Sequence, residues 1–269
     1  MLRSAGIQLR LGRLFDPNSN NTIVVALDHG LFMGPLPGLH QPAEVARRLL
    51  EAGVDAIQCP PGQAVQVAPH VAKRPRGSLL FRLDSTNMWR SGSFAPTPGF
   101  WTPVSSPADA VRVGADAAVC FLIAGWSDDA MEAANLRQIG IWAQESADLG
   151  MPLMIEPLPL GPNISNENDA TLVATLCRMA YELGATVVKS NYTGDPESFA
   201  RITSDVPVPV LMRGGPRASS DEAYLKMVDD AITAGARGVV VGRNVFQADD
   251  PVKSVQSLRS IIHRGTSAS

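Results

Sequence analysis

Gly184-Ala185-Thr186-Val187-Val188 places a glycine directly before a short apolar run that is rich in β-branched residues. Glycine ends a helix in the left-handed conformation at little cost, and such an apolar run suits a strand that is buried on both faces. The same pattern recurs at residues 52–57, 114–119 and 235–241. Each of these stretches is therefore predicted to join the end of a helix to a buried parallel strand.

Further apolar runs of strand length lie between these junctions, at residues 23–27, 78–83, 152–156 and 207–212. Asp195-Pro196-Glu197 carries typical helix-start signals: a capping aspartate, a proline for the first turn and an acidic residue for the helix dipole. Amphipathic helical patterns lie at residues 43–51, 131–149, 170–183 and 223–234. Strand and helix thus alternate eight times. This pattern predicts an α/β fold, a single-domain (β/α)8 TIM barrel, rather than an open doubly wound sheet.

The composition limits the possible partners. The chain has 269 residues, with 23 Lys and Arg against 26 Asp and Glu, and a formal charge of −3. It has no basic run of the kind that gives nonspecific affinity for nucleic acid, and no apolar run of the roughly 20 residues that span a bilayer. We therefore expect a cytoplasmic protein with no nucleic-acid or membrane partner. Its barrel domain is predicted to cover residues 1–264, and the tail at residues 265–269 to be disordered.

Cysteine and histidine usage argues against a metal site or a disulfide. Cys59, Cys120 and Cys177 lie far apart in apolar contexts, which is a poor disulfide framework and a poor zinc site. The four histidines show no spacing that is typical of metal ligands. We expect neither a metal nor a cofactor, and we interpret Cys120 as inert packing on the fourth strand rather than as a nucleophile.

Titratable residues follow several predicted strands, at the barrel face that carries chemistry in this fold. They are Asp28 and His29 at strand one, Arg82 and Asp84 at strand three, Glu156 at strand five and Lys189 at strand six. Because side chains alternate along a strand, Asp28 is predicted to face the barrel axis and His29 to face outward, where it orients the loop. An acid or base role for His29 is the alternative. We expect Arg82, Asp84 and His29 to contact the substrate.

Lys189 is the most informative of these residues because it ends an apolar run and is predicted to point inward. An ammonium in a partly desolvated barrel mouth tends to lose its proton, and guanidinium groups such as those of Arg82 or Arg213 would lower its pKa further. The neutral amine is a nucleophile that can condense with a ketone to form a Schiff base. The alternative is a structural ion pair between Lys189 and either Asp28 or Glu156.

Two glycine-containing turns follow the last two strands, Arg213-Gly214-Gly215 and Gly242-Arg243-Asn244. Glycine exposes backbone N–H groups, the arginines add positive charge, and barrels frequently hold a phosphate after strands seven and eight, ahead of a short extra helix. Residues 244–247 are predicted to form that helix. We expect a phosphate or a similar anion at these turns. The alternative is that the glycines only make tight turns.

Two long loops depart from the repeating pattern, at residues 91–103 after the third strand and 157–168 after the fifth. Both are rich in Gly, Pro and Asn and lie on the reactive face of the barrel, so we expect them to cover a substrate. Tryptophans in or beside such loops either shield the substrate or pack in the core: Trp89, Trp101 and Trp126.

Four motifs, spread from strand one to strand eight, carry a family resemblance. They are Ala26-Leu27-Asp28-His29-Gly30, Val187-Val188-Lys189-Ser190-Asn191-Tyr192-Thr193-Gly194-Asp195, Gly214-Gly215-Pro216 and Val241-Gly242-Arg243-Asn244-Val245-Phe246-Gln247. With these motifs the chain resembles the archaeal-type class I fructose-bisphosphate aldolase superfamily. That superfamily also contains the aminodideoxyheptulosonate-type synthases and the enzyme that processes the phosphorylated autoinducer-2 signal.

The resemblance implies roles for the residues that match the motifs. Lys189 would be the Schiff-base lysine, and Asp28 the active-site carboxylate of strand one. The resemblance also implies a homo-oligomer. A substrate phosphate would be surrounded by Gly214, Gly215, Gly242 and Arg243.

The chain departs from the family at positions that bear on the substrate. Phe121-Leu122-Ile123-Ala124-Gly125 stands where the fructose-bisphosphate enzymes have a strand-four tyrosine as proton donor and acceptor. Leu158-Pro159-Leu160-Gly161 replaces their Tyr-Pro-Arg-Gly, and Arg213 replaces a small residue. Glu156 matches a glutamate that the related tagatose-bisphosphate aldolases carry in the proton-transfer role. These departures argue against fructose bisphosphate itself as the substrate.

The leading interpretation is a class I, metal-independent aldolase, an aldehyde-lyase that cleaves or forms a carbon–carbon bond in a phosphorylated or otherwise anionic keto substrate. Lys189 would form the iminium, and Glu156, helped by Asp28, would transfer the protons. Two alternatives keep the lysine chemistry, namely transfer of an acyl or keto fragment and biosynthetic condensation. A third alternative is a barrel that binds a phosphorylated metabolite without catalysis.

Overall fold

The structure is a computed structural model that describes residues 4–88, 100–126 and 128–264. Its centre is a closed barrel of eight parallel strands. In chain order the barrel strands are β1 (Thr22–Ala26), β2 (Ala56–Cys59), β3 (Ser78–Arg82), β6 (Ala117–Ala124), β7 (Leu153–Pro159), β8 (Val187–Ser190), β9 (Val210–Arg213) and β10 (Gly238–Val241). Each strand pairs with the next barrel strand in the chain, and β10 closes the barrel on β1. The predicted single-domain TIM barrel is confirmed.

Helices follow the strands and surround the barrel. In the described chain they are α1 (Ala5–Leu14), α2 (Gly30–Met33), α3 (Pro42–Ala52), α4 (Pro61–Val71), α5 (Pro107–Arg112), α6 (Asp129–Leu149), α7 (Ala170–Glu182), α8 (Pro196–Asp205), α9 (Asp221–Thr233), α10 (Arg243–Phe246) and α11 (Pro251–Ile262). Asp195 caps α8 as predicted, because its carboxylate accepts a hydrogen bond from the Ser198 N–H at 2.8 Å. The four amphipathic patterns correspond to α3, α6, α7 and α9.

Two apolar layers form the core. Residues of the inner layer point to the barrel axis, among them Val24, Leu80, Val119, Met154, Val187, Leu211 and Val240. Ile23, Val25 and Leu27 belong to the layer between the strands and the helices, as the alternation along the first strand predicted. Leu14 and Phe15, at the end of α1, join the inner layer. Sequence reasoning missed α1, although Ser4 gives a start signal by capping it.

The fourth and fifth barrel strands are longer than predicted. β6 runs on to Ala124 and β7 to Pro159 because the two strands pair with each other over seven residues. Pro157 is tolerated in β7 because, in the described chain, β8 no longer pairs with β7 at the level of this proline. The N–H group that proline lacks therefore breaks no ladder bond on that edge. The loop after the fifth strand therefore begins at Leu160 rather than at Pro157.

The loop after the third strand contains a short antiparallel pair, β4 (Asp84–Thr86) with β5 (Trp101–Pro103). Trp101 is buried and packs edge-on against Trp142, with ring centroids 6.0 Å apart, and Trp126 is also buried. These two tryptophans therefore have the core role that was one of the two alternatives. Trp89, the rest of the predicted covering loop at residues 91–99 and the tail at residues 265–269 lie outside the described residues.

Gly238→Ala is expected to prevent closure of the barrel. Gly238 pairs with Thr22 at the junction of β10 and β1, at a φ of +127°, and a Cβ there would overlap with the Thr22 carbonyl oxygen. Neither strand can move away without losing its ladder bonds, so we expect a loss of more than about 4 kcal/mol in the free energy of unfolding. Urea unfolding would measure it.

Gly140→Ala is the matched control. Its methyl group would project from the exposed side of α6 and meet no described atom within 4 Å. Because alanine favours helix over glycine, this variant should be more stable by up to about 1 kcal/mol. Similar small effects of both substitutions would contradict our account of the barrel closure.

Candidate active site

A cavity of about 160 Å³ opens at the carboxyl ends of the barrel strands. All but one of the predicted site residues line it: Asp28, His29, Arg82, Glu156, Lys189, Arg213, Gly214, Gly215, Gly242 and Arg243. We call the side chains of Asp28, Arg82, Glu156 and Lys189 the floor of this cavity. Charged residues from β3, β7 and β8 and from the end of β1 thus converge, as the strand alternation predicted.

The Arg82 guanidinium is buried in the floor and pairs with three carboxylates. Its Nε lies 2.8 Å from Asp28 Oδ2, and its terminal nitrogens lie 2.7 Å from Glu156 Oε2 and 3.4 Å from Asp84 Oδ1. The guanidinium carbon also sits 3.9 Å from the centre of the Phe121 ring. Because its hydrogen-bonding groups are taken up by protein carboxylates, the geometry favours a role for Arg82 in organising the floor over its predicted contact with substrate.

Lys189 and Glu156 form an ion pair inside the cavity. Lys189 Nζ lies 2.8 Å from Glu156 Oε1, and the two side chains are 6% and 3% exposed. Burial lowers the pKa of Lys189, and although Glu156 opposes this shift, the pKa stays below its ordinary value. Burial by itself raises the pKa of the Glu156 carboxyl, but three neighbouring cations outweigh it and hold that pKa at about 2. The lysine therefore loses its proton more readily than an exposed lysine does, whereas the glutamate stays ionised.

Asp28 is held in place by two donors. Its Oδ2 accepts hydrogen bonds from Gln58 Nε2 at 2.6 Å and from Arg82 Nε at 2.8 Å, while its Oδ1 faces His29 Nδ1 at 3.7 Å. Burial raises the pKa of this carboxyl, but the charges of Arg82, His29 and Lys189 together outweigh it, and the pKa is lowered overall. Asp28 is thus a buried carboxylate with one oxygen turned toward His29.

His29 lines the cavity, and the prediction that it faces outward is wrong. β1 ends at Ala26, and His29 has φ −56° and ψ −32° where α2 begins, so strand alternation no longer applies to it. Its ring lies between Phe32 and Phe246, with centroid distances of 5.6 and 5.4 Å. Burial lowers the pKa of His29 to about 4, so the imidazole is neutral at pH 7.

Asp84 is the predicted site residue that the described cavity lining does not include. Its carboxylate is fully buried, where Oδ2 accepts hydrogen bonds from Trp101 Nε1 at 2.8 Å and from the Phe121 N–H at 2.7 Å. Burial raises the pKa of this carboxyl to about 6. Side-chain alternation along β3 would place Asp84 on the same face as Arg82, but β3 ends at Arg82, so the alternation does not extend to Asp84. Through these hydrogen bonds and its ion pair with Arg82, Asp84 connects β5 and β6 to the guanidinium group.

The ends of β9 and β10 form the rim of the cavity: Arg213, Gly214, Gly215, Gly242 and Arg243. Arg213 donates to Asn191 Oδ1 at 3.0 Å, and its Nε lies 3.5 Å from Glu156 Oε1. The Nε of Arg243 is buried and has no hydrogen-bond partner among the described residues. Burial, and the nearby charge of Arg213, lower the pKa of Arg243. Two guanidinium groups that repel each other in this way favour an anion between them.

The turn that carries the rim glycines is fixed by Asn244. Its Nδ2 donates to the carbonyl oxygens of Gly214 and Pro216, both at 2.8 Å. Gly215 has a φ of +65°, which glycine adopts most readily, so its N–H group can take part in a tight turn. The short helix predicted at residues 244–247 is present as α10, one residue earlier.

Sequence reasoning missed several residues that complete the site. Gln58 binds Asp28, and its signal was a polar side chain inside the apolar run of β2. Asn191 was quoted in a motif but not assigned a role, and it contacts Arg213 from the end of β8. Phe121 was quoted only as part of the stretch that lacks the family's tyrosine, although its ring covers Arg82. Such contacts join strands that are distant in sequence, so a local pattern such as that of Gln58 marks a buried polar residue but not its partner.

Other predicted features are consistent with inert packing. Cys59, Cys120 and Cys177 are all buried and free of disulfides, and burial raises the pKa of the Cys120 thiol well above its usual range.

Within the described parts of the chain, no helix has the length and apolar character that crossing a membrane requires.

Comparisons with known proteins agree with this geometry. A family model described as DeoC/LacD family aldolase matches residues 22–248. The chain is 38% identical over 259 residues to an uncharacterized aldolase from Saccharolobus solfataricus, covering 96% of this chain and 94% of that protein. It is 35% identical over 255 residues to 2-amino-4,5-dihydroxy-6-oxo-7-(phosphonooxy)heptanoate synthase from Streptomyces griseus, covering 95% of this chain and 89% of the synthase.

Solved structures give the same result. The crystal structure of an archaeal fructose 1,6-bisphosphate aldolase superposes with a TM-score of 0.83 at 28% identity, covering 96% of this chain and all of that one. An archaeal aldolase structure in which the catalytic lysine is covalently bound to the carbinolamine intermediate superposes with a TM-score of 0.82 at 28% identity, covering 96% and 99% of the two chains. The resemblance inferred from the sequence motifs is confirmed.

Arg82→Met is expected to destabilise the protein by about 3–5 kcal/mol, because it leaves buried carboxylates without their cation. Arg47→Met is the matched control, since Arg47 also binds two carboxylates, those of Glu44 and Glu51, at 2.6 Å. That cluster lies on the exposed surface of α3, where ion pairs contribute up to about 1 kcal/mol. Urea unfolding at pH 7 would compare the variants. Equal losses would show that burial of the Arg82 cluster has no special effect.

Proposed function

This chain belongs to the DeoC/LacD aldolase family, and from that premise we propose that it forms a Schiff base through Lys189 and cleaves or forms a carbon–carbon bond in a phosphorylated keto substrate. The observation that carries the proposal is the position of Lys189 Nζ, which is buried at the barrel mouth, 2.8 Å from a carboxylate, in one cavity with two rim guanidinium groups. The chain has the fold and the family of the Schiff-base aldolases.

The proposed reaction begins with a neutral Lys189. Burial and the Arg82 charge favour loss of its proton, so Nζ can attack the substrate carbonyl. Loss of water then gives an iminium, whose positive charge stays next to the Glu156 carboxylate. The iminium withdraws the electron pair of the carbon–carbon bond that breaks, and an enamine results.

Glu156 is better suited to charge stabilisation than to the proton transfer predicted from the sequence. Its Oε2 binds Arg82, and its Oε1 lies near both Lys189 and Arg213. With a pKa held at about 2, this carboxylate is a weak base. We therefore propose that Glu156 stabilises the iminium, and that Asp28 and Arg82 keep the glutamate in place.

The rim is proposed to bind the substrate phosphate. Its glycines leave room for a ligand to approach the backbone, while Arg213 and Arg243 supply positive charge. The names of two relatives suggest the substrate class. Fructose 1,6-bisphosphate and the 6-oxo-7-(phosphonooxy)heptanoate both have a phosphorylated carbon next to a ketone, followed by two hydroxylated carbons. We propose a substrate with this common fragment.

Condensation is the second candidate, because the Streptomyces griseus relative is a synthase. In that direction the enamine on Lys189 would attack an acceptor carbonyl instead of taking up a proton. Product analysis separates the two reactions, since cleavage releases an aldehyde without any second substrate.

We also propose that the enzyme is a cytoplasmic homo-oligomer whose single domain covers residues 1–264.

Borohydride trapping tests the Schiff base directly. We expect dihydroxyacetone phosphate, the phosphorylated ketone left by cleavage of the shared fragment, to add irreversibly to the peptide that contains Lys189 when borohydride is present. Intact mass and peptide mapping would detect the adduct. Lys189→Ala should abolish it, whereas Lys226→Ala, which removes an exposed lysine paired with Asp230, should leave it unchanged. Lack of any adduct across a panel of phosphorylated ketoses would favour the non-catalytic, metabolite-binding barrel.

Arg243→Gln tests the phosphate site. Because a charge-assisted hydrogen bond contributes about 1.5–3 kcal/mol, the dihydroxyacetone phosphate concentration for half-maximal trapping should rise at least about tenfold. Trapping with unphosphorylated dihydroxyacetone should not change. Arg201→Gln, at an exposed position of α8, is the control and should leave both concentrations unaltered. An equal rise with both ketones would mean that Arg243 does not bind the phosphate.

A further inference from the structure

The proposed reaction needs a group that takes a proton from the substrate and later returns one. The stretch at residues 121–125, where the family's fructose-bisphosphate enzymes have a tyrosine, contains no titratable side chain. Glu156 is held as a carboxylate by three cations. Asp28 Oδ2 is occupied by two donors, Oδ1 faces His29, and the lowered pKa of this carboxyl makes it a weak base. The proton carrier must therefore be sought elsewhere in the cavity.

His29 is a titratable group in the cavity wall that the reaction has not yet used. Its Nδ1 is buried without a hydrogen-bond partner in the described chain, and it faces the free oxygen of Asp28 at 3.7 Å. That distance is too long for a hydrogen bond, but catalytic hydrogen bonds in a free enzyme often shorten when substrate binds. A carboxylate at Nδ1 would orient the ring and stabilise its protonated form, as it does in other carboxylate–histidine pairs.

Gly242 allows the ring of His29 to pack closely against the turn after β10. A Cβ at this position would overlap with His29 Cε1 and come within 2.9 Å of Nε2. The absence of a side chain at Gly242 thus lets the imidazole sit in the cavity wall beside the rim.

Resting on the proposed Schiff-base function, we propose that His29 is the proton carrier of the reaction, with Asp28 as the residue that orients it. In cleavage, His29 takes the proton of the hydroxyl group on the carbon β to the iminium. The bond between the α and β carbons breaks, an aldehyde forms, and the electron pair moves to give the enamine. The imidazolium then returns the proton to the α carbon, and water hydrolyses the resulting iminium to free Lys189.

The charges around the ring suit this role. Asp28 and Glu156 favour the protonated imidazole, whereas burial, Lys189 and Arg243 oppose it. A substrate phosphate bound by Arg243 would offset one of the opposing charges. The pKa of His29 is therefore expected to rise when the substrate is in place, which makes the ring a better base during the reaction than in the free enzyme.

Hydrogen–deuterium exchange into dihydroxyacetone phosphate measures this proton step without knowledge of the aldehyde. The iminium on Lys189 loses a proton from its α carbon to give the enamine, and in heavy water the return step introduces deuterium. We expect His29→Ala to slow this exchange by about 10²- to 10⁴-fold. Borohydride trapping of the Lys189 adduct should persist and would show that the variant is folded. Added imidazole should restore part of the exchange rate, because it can occupy the space left by the ring.

His40→Ala is the matched control because His40 is exposed, and it should exchange at the wild-type rate. His29→Gln, which keeps most of the side-chain volume, should be as slow as His29→Ala but should not respond to imidazole. Exchange near the wild-type rate in His29→Ala would overturn the proposal, and so would a loss that imidazole does not restore, since that would indicate a structural role. Absence of an adduct in the wild-type protein would instead refute the proposed Schiff-base function.

Discussion

The arrangement of this site depends on one buried charge, the guanidinium of Arg82. It lies on β3 and joins a carboxylate from the end of β1 to one from β7, with a third from β4. Ions removed from water cost several kcal/mol each unless they are paired with good geometry, so these carboxylates keep their positions only while Arg82 is present. The position of Glu156, and through it the ion pair with Lys189, follows from that constraint.

The distribution of charge over the cavity sets the orientation of the substrate. On the floor, the cations Arg82 and Lys189 are balanced by the carboxylates Asp28 and Glu156. At the rim, Arg213 lies 3.5 Å from Glu156, which is already paired with Arg82 and Lys189. Its other carboxylate neighbour, Glu167, is 48% exposed and therefore well solvated. An anionic group is attracted to the rim, and the uncharged carbonyl of the same molecule then reaches the lysine. Electrostatics alone thus favours one orientation of a phosphorylated ketone.

How far the sequence predicts this site follows from the range of the interactions involved. Lys189 was placed correctly because it belongs to a strand whose period of two sets the direction of the side chain. Asp28 also faces the cavity, although it lies two residues beyond the end of β1, because Gln58 and Arg82 hold it there. His29 was misplaced because β1 ends at Ala26, and a strand end is a local event that apolar patterns locate poorly. Arg82 was expected to bind substrate. Only the packed barrel shows that three carboxylates already surround its guanidinium group. The sequence therefore predicts which charged residues lie in the cavity, but only the packed structure shows which of them form ion pairs.

The aromatic side chains beside the floor help to keep His29 neutral, because they bury its ring. The Phe121 ring covers Arg82 and packs edge-on against Phe32 with centroids 5.7 Å apart, and Phe32 in turn contacts His29. This continuous aromatic wall excludes water from one side of the cavity. Lower polarity strengthens the ion pairs of the floor and disfavours a charged imidazole. Phe121 therefore belongs to the apolar surroundings in which the buried imidazole of His29 stays neutral at pH 7.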